Sequence, residues 1–456
     1  MENLSETAVQ RRLELDNPWW GGGGVGPSIG ENLPRRAFFE AFVRLVTGGG
    51  SVRPVVLMGA RRMGKTVMMR QTIGHLLAQG TPPGAITYVA LASPVFAGAA
   101  LSDVLNRAGD GRRYLFLDGL EYRPSWHGEV AELTSDQPRL RVVAATAAAM
   151  SGRFTRLLLP PLTFAEYLAF SGRERALGLE PIGAGQPSRR AAGELNGAFI
   201  DYLNHGGFPD SAVADAAVEA GADAGQVVTG ALVNDLPGLH GIADSRDLNR
   251  LFTALALNTG GEARITGLVR FTGLAKNTLK RYLDFLEAAF LIRRVHRVDG
   301  AARRFERAVT FKVYVTNPSL RAALLGPVSA DDPVMGRLAE TGVVSQWLHA
   351  HWAAERSAYA RWPGGAVDFV ELDLPSGAPQ MAVDVMWDEH GLGEPEALAA
   401  FVGFARTNGV PVNYVLTRTR SGRTDIAGTT VDIEPVSRFC YRIGRQIANF
   451  SVTTGF

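Results

Sequence analysis

A single cysteine, Cys440, stands among 456 residues. That excludes an internal disulfide framework and any cysteine-based metal cluster. No run of about eighteen apolar residues occurs, and the N-terminal segment has no apolar signal-peptide core. A membrane-spanning helix and a secretory leader are therefore not expected, and a cytoplasmic setting is. An excess of charge of either sign is also missing: the net charge is +2. The chain as a whole makes no electrostatic case for nucleic acid or membrane, so any basic patch must be local. Repeats of the solenoid kind are absent as well. What remains is an ordinary globular composition, 46% hydrophobic and 20% charged, with length for two to four cored domains.

Against that background one stretch stands out. Val55-Val56-Leu57-Met58 is an apolar run, and Gly59 to Thr66 follows it as G-x-x-x-x-G-K-T. In this pattern glycines let backbone N–H groups turn inward around phosphate oxygens. A lysine reaches the β and γ phosphates, and a hydroxyl ligates Mg²⁺. The spacing assigns those roles to Lys65 and Thr66. Gly59, Arg61, Arg62, Met63, Gly64, Lys65, Thr66 and Val67 form the expected nucleotide-contacting set. Val67 to Gln79 has the apolar spacing of a helix. A glycine-rich turn between strand and helix would share the pattern without the ligand.

A nucleotide-hydrolysing loop of this kind needs a second element: an apolar strand ending in Asp for Mg²⁺, usually followed by a water-polarising Glu. Tyr114 to Asp118 supplies the strand and the carboxylate. Gly119 stands where the Glu is expected, and Glu121 is the nearby substitute. A third strand, Leu140 to Ala145, ends at Thr146, the candidate γ-phosphate sensor. Lys65, Asp118, Glu121 and Thr146 are thus the catalytic candidates, and Thr66 and Asp118 the metal ligands. Ile86–Ala90 and Leu157–Leu159 also read as strands. Strands alternating with helical segments between Arg35 and Ser171 predict a parallel α/β sheet. Trp19 and Trp20, before the glycine run Gly21 to Gly30, either line an adenine pocket or dock the N-terminal segment.

Several blocks in this order carry a family resemblance. They are G-x-R-R-x-G-K-T, then Y-L-F-L-D with Trp126, then G-R-F-T…L-P-P-L-T-F-x-E-Y-L (Gly152 to Leu168), then G-G-F-P (Gly206 to Pro209). Together they resemble a prokaryotic AAA-type ATPase family with a C-terminal region related to restriction-type nuclease folds. The resemblance runs from about Asn17 to the end. It implies an ATP-binding domain with Lys65 and Thr66 on nucleotide and Mg²⁺, and Asp118 on the metal. Gly119 replaces the family's Glu, and Ala145-Thr146 replaces its Gly-Ser. The segment between Thr146 and Gly152 looks shortened, and Arg153 is a candidate phosphate- or subunit-contacting arginine. These departures favour binding over rapid turnover.

Further along, Ile265 to Leu283 reads as helix, turn at Gly273, helix. Leu286 to Val298 and Thr310 to Thr316 supply strands of a wing. Lys276, Lys280, Arg281, Arg293, Arg294, Arg297, Arg303, Arg304 and Arg307 concentrate here. Such a unit contacts either duplex DNA or protein. In the last third, strand runs fall at Ala366–Leu372, Gln380–Met386 and Val412–Thr417. Asp368 and Asp384, with Glu340 on a preceding helix, match the acidic positions of PD-(D/E)XK nucleases. Met386 stands at the lysine position, so cleavage is not expected.

The expected organisation is an N-terminal segment (1–34), an AAA-type P-loop domain (35–172), a helical lid (173–245), a winged helix (246–328) and a degenerate nuclease-like domain (329–456). The expected function is an ATP- and Mg²⁺-dependent switch acting on the C-terminal modules. The alternatives are a non-hydrolysing regulatory scaffold and an ATP-regulated DNA-binding protein. ATP, a second copy of the chain and DNA are the candidate partners, and membrane is not.

Overall fold

A computed structural model describes all residues except 1, 22–31, 49–52, 98, 109–110, 112, 124, 151, 180–188, 214–229, 231–244, 306–309, 349–354, 390–391, 393–394 and 451–456. The glycine run after Gly21, Arg307 and much of the expected lid therefore lie outside the described residues. The chain divides into two compact units that meet in sequence after Leu159.

The first unit is built on five parallel strands in the order β2-β3-β4-β1-β5. They are β1 (Val55–Met58), β2 (Ile86–Ala90), β3 (Tyr114–Asp118), β4 (Arg141–Thr146) and β5 (Thr155–Leu158). β1 is buried along its whole length, and Tyr114 to Leu117 are buried too. Such unbroken apolar runs suit strands covered on both faces. The helices Lys65–Ala78 and Trp126–Asp136 connect them. This is the parallel α/β sheet typical of P-loop ATPases, as the alternating pattern predicts. All four β-runs after β1 and the loop helix lie within about two residues of their expected bounds.

The second unit opens at the Leu162 to Leu168 block. Thr163 caps the helix Phe164–Phe170: its hydroxyl accepts from the Glu166 N–H at 3.2 Å, and the Glu166 carboxylate accepts from the Thr163 N–H at 3.1 Å. The T-F-A-E of the sequence is thus a capping box, which satisfies two otherwise unpaired donors. Gly207, in the Gly206–Pro209 block, offers its carbonyl to the Leu162 N–H. Both family-like blocks therefore serve packing. Phe164, Phe199, Tyr202, Trp347, Phe369 and Phe439 share one core.

A nine-stranded sheet completes this unit, in the order β13-β14-β12-β11-β10-β9-β7-β8-β6. Its strands are β6 (Gly261–Arg264), β7 (Ile292–Val298), β8 (Thr310–Val315), β9 (Ser357–Trp362), β10 (Gly365–Leu372), β11 (Pro379–Met386), β12 (Val412–Thr417), β13 (Gly422–Ile426) and β14 (Thr429–Pro435). The helices Ile265–Thr272 and Lys276–Ala288 flank a turn at Gly273, as the sequence predicts. The strand expected from Leu286 does not begin there. The helix continues to Ala288 because Leu286 completes its buried stripe with Leu279 and Leu283, and β7 starts at Ile292. Parallel pairing of β7 with β9 runs β7 and β8 into the C-terminal sheet.

Candidate functional site

The loop after β1 is shaped by close backbone approach. A Cβ on Gly59 would lie 2.2 Å from the Leu159 carbonyl oxygen, so no larger residue fits. Arg36, buried at 4% exposure, donates to the Met63 carbonyl at 2.7 Å and fixes the loop from behind. The Lys65 ammonium donates to the Gly59 and Ala60 carbonyls at 2.8 and 2.7 Å. Arg62 sits in the left-handed region at φ 61°. Non-glycine residues are held there at some energetic cost, and such positions cluster at binding loops. Met63 is buried, and Val67 is half-buried at the start of the helix.

Asp118 meets this loop from the end of β3. Its Oδ2 accepts from the Thr66 hydroxyl at 2.6 Å and from the Tyr88 hydroxyl at 2.7 Å. The structure thus brings together Lys65, Thr66 and Asp118, as expected from the sequence, and adds Tyr88. Burial, reinforced by the Asp118 carboxylate beside it, pushes the Tyr88 phenol above its ordinary range and keeps it a donor. Tyr88 is placed from outside the sheet. Asn17 accepts from its N–H at 2.7 Å and donates to its carbonyl at 2.8 Å. The Trp19 and Trp20 indoles both donate to the Ile86 carbonyl, at 3.1 and 2.9 Å. Of the two roles open to the tryptophans, docking on the edge of β2 is the one observed.

The remaining candidates point elsewhere. Gly119 is left-handed at φ 89°, and a Cβ there would press on the Tyr122 ring at 3.1 Å. The backbone itself therefore disfavours a Glu at this position. The Glu121 carboxylate accepts from the Ala147 N–H at 3.1 Å. Thr146 is fully buried, and its hydroxyl accepts from the Ala148 N–H at 3.1 Å within its own turn. Arg61 bonds the Tyr122 hydroxyl and lies over its ring. Arg153 is exposed. These contacts tie Glu121 and Thr146 to local backbone and Arg61 to Tyr122.

A separate cluster lies in the second unit. Lys312, on β8, donates to Glu340 at 2.7 Å and to Asp368 at 2.8 Å, and only 9% of its side chain is exposed. Tyr314, two residues on and on the same face, donates to the same Glu340 oxygen at 2.5 Å. Asp384 accepts from the Asp368 N–H at 3.3 Å, and Asp368 accepts from the Val385 N–H at 3.1 Å. Burial raises the Glu340 carboxyl to about 7, with the Asp368 charge adding and Lys312 opposing. Burial and the neighbouring Asp368 charge push Asp384 well above the carboxylate range. Burial would raise Asp368 too, but the Lys312 ammonium holds it below its ordinary value. The sequence brings Glu340, Asp368 and Asp384 into view, as the structure does, but not Lys312. Its signal was available: T-F-K-V-Y-V places a lysine inside a strand that is otherwise buried.

Comparison with known proteins agrees with the first unit. Residues 51–168 match the family model described as AAA domain, and residues 196–331 match a domain of unknown function (DUF8612). An uncharacterised protein of Haemophilus influenzae is 21% identical over 297 residues, which cover 60% of this chain and 70% of that protein. Among solved structures, the Walker-type ATPase of Pyrococcus abyssi is 14% identical with a TM-score of 0.38, covering 64% of this chain and 95% of that one. The Aeropyrum pernix Orc1 protein, solved in complex with DNA, is 15% identical with a TM-score of 0.31, covering 68% and 96%. Residues 51–168 thus form an AAA-type domain, and it carries the P-loop. Among the described residues, no helix is long and apolar enough to cross a membrane.

Proposed function

We propose that the first unit is an ATP-dependent switch: it binds ATP with Mg²⁺, turns it over slowly or not at all, and acts on the modules of the second unit. The observation that carries this reading is the meeting of Lys65, Thr66 and Asp118. The Lys65 ammonium sits on loop carbonyls that it can exchange for phosphate oxygens. The Thr66 hydroxyl and the Asp118 carboxylate, 2.6 Å apart, would hold the Mg²⁺. Bound there, the ion neutralises phosphate charge. Tyr88 orients the carboxylate from the neighbouring strand. Weak turnover follows from Gly119 and Glu121: the first has no carboxylate, and the second spends its own on Ala147. Losing a water-positioning residue lowers such rates by orders of magnitude. Steady-state phosphate release from purified protein tests this. Rapid turnover abolished by Lys65→Ala would replace the switch with a motor, and its absence with retained ATP binding supports the switch or scaffold.

A second reading, DNA contact through the winged-helix and its neighbouring strands, rests on the helix Lys276–Ala288. Lys276, Lys280 and Arg281 are exposed along it. The wing supports this reading less. Arg294 is paired with Asp284 and Glu287, Arg303 with Asp299, and Arg297 and Arg304 donate to the Arg361 and Glu355 carbonyls. Three phosphate contacts give a slope of log affinity on log salt of roughly −3. Duplex binding with a slope near that value, weakened by Lys280→Ala, supports the reading. No binding at low salt, with or without ATP, removes it. The degenerate nuclease-like reading of residues 329–456 rests on Asp368 and Asp384 facing each other across β10 and β11. Mg²⁺- or Mn²⁺-dependent cleavage lost in Asp384→Ala would reverse it.

A further inference from the structure

We infer that the Lys312 ammonium is the resident cation of the Glu340–Asp368–Asp384 cluster, a covalently tethered charge that occupies the place of a divalent metal and closes the cluster to one. The inference deepens the nuclease-like reading of this module and does not depend on nucleotide binding.

Three observations carry it. First, the ammonium bridges two carboxylates that come from different elements: Glu340 from the helix Met335–Ser345, and Asp368 from β10. A cation linking separate carboxylate oxygens is the arrangement a divalent ion adopts in an acidic site. Second, the lysine arrives from β8, which is separated from β10 in the sheet by β9 and β7. It enters because β7 pairs with β9 and so continues β7 and β8 into the C-terminal sheet. Third, the oxygens are already used. Glu340 Oε1 accepts from both Lys312 and Tyr314, and the two Asp368 oxygens accept from Lys312 and from the Val385 N–H. Among the described residues no group of three or more His, Cys, Asp or Glu side chains is arranged to hold a metal. A divalent ion on the same oxygens would meet the ammonium as a like charge in a buried place, where such repulsion is least screened.

The consequence is specific. Removal of the ammonium should open the cluster to a divalent ion, whereas the native protein should ignore one there. Manganese titration of the full-length, nucleotide-free protein, followed by the loss of the free-ion paramagnetic resonance signal, reads this directly. Wild type and Asp368→Asn should titrate alike. Lys312→Met, or Lys312→Ala with more room for a hydrated ion, should gain one site at least tenfold tighter than any in wild type. That site should disappear in the Lys312→Met, Asp368→Asn double variant. A wild-type site lost in Asp368→Asn overturns the inference, as does a folded Lys312 variant that gains nothing. Where both Lys312 variants fail to fold, the wild-type and Asp368→Asn comparison decides: identical titrations support it and a difference overturns it. DNA cleavage by wild type would sink the degenerate reading of the module, whereas the manganese outcomes above decide this one.

Discussion

Asn17→Ala should loosen the edge of the first unit's sheet and disturb Asp118, its proposed Mg²⁺ ligand. The Asn17 side chain makes three buried hydrogen bonds, to the Leu13 carbonyl and to both backbone groups of Tyr88, and the residue is 1% exposed. Alanine leaves the Tyr88 N–H and carbonyl without those partners on the outer edge of β2. Each buried group left unsatisfied costs about 1–3 kcal/mol. Water reaching an edge strand recovers part of that, so a local loss of about 3 kcal/mol is expected. Since 1.4 kcal/mol is a factor of ten, amide hydrogen exchange across Ile86 to Ala90 should accelerate by roughly a hundredfold. Exchange in β4, at the centre of the sheet, should change much less. ATP affinity should fall too, because Tyr88 then holds Asp118 less firmly. Asn17→Asp keeps the acceptor for the Tyr88 N–H but sets a buried carboxylate against the Leu13 and Tyr88 carbonyls, so exchange should be at least as fast as in alanine. Unchanged exchange at β2 in Asn17→Ala would refute the clamp.

Other outcomes follow from the same contacts. Gly119→Glu should not raise phosphate release, because φ 89° and the Tyr122 ring oppose a side chain there; a tenfold rise would show that the missing carboxylate alone limits turnover. Lys312→Met should destabilise the second unit by about 3–5 kcal/mol, since it strands a buried carboxylate, and adding Glu340→Gln should recover part of that in urea unfolding. Glu340, raised to about 7 in the folded state by burial, binds more protons folded than unfolded between about pH 4.3 and 7. Its contribution to stability is therefore full below that window and lost as pH rises through it, by at most about 1.4 kcal/mol per pH unit. Urea midpoints in Glu340→Gln should be flatter across that window than in wild type.

The parallel sheet and its loop were legible because their signals are local. An apolar run, a glycine loop and an Asp at a strand end occupy consecutive positions, and β1 to β5 fall close to where the runs lie. What lay beyond reach depended on distant partners. Tyr88 looks like any core tyrosine until β2 is set beside β3. Glu121 looks like a spare carboxylate until Ala147 is seen to use it. Leu286 reads as a strand start until the stripe from Leu279 shows it to be helical. Lys312 is the clearest case: it meets Glu340 and Asp368 only because β7 pairs with β9, a contact that no local pattern announces. Strands β6, β9, β13 and β14 were missed for a related reason, since β6 and β13 carry polar residues and weak alternation.

Calorimetric titration of ATP with Mg²⁺ into wild type and Lys65→Ala tests the central claim most directly. The account predicts saturable binding by wild type, weakened at least tenfold by Lys65→Ala and also by Asp118→Ala. Equal binding by all three proteins, or none by folded wild type, would contradict it.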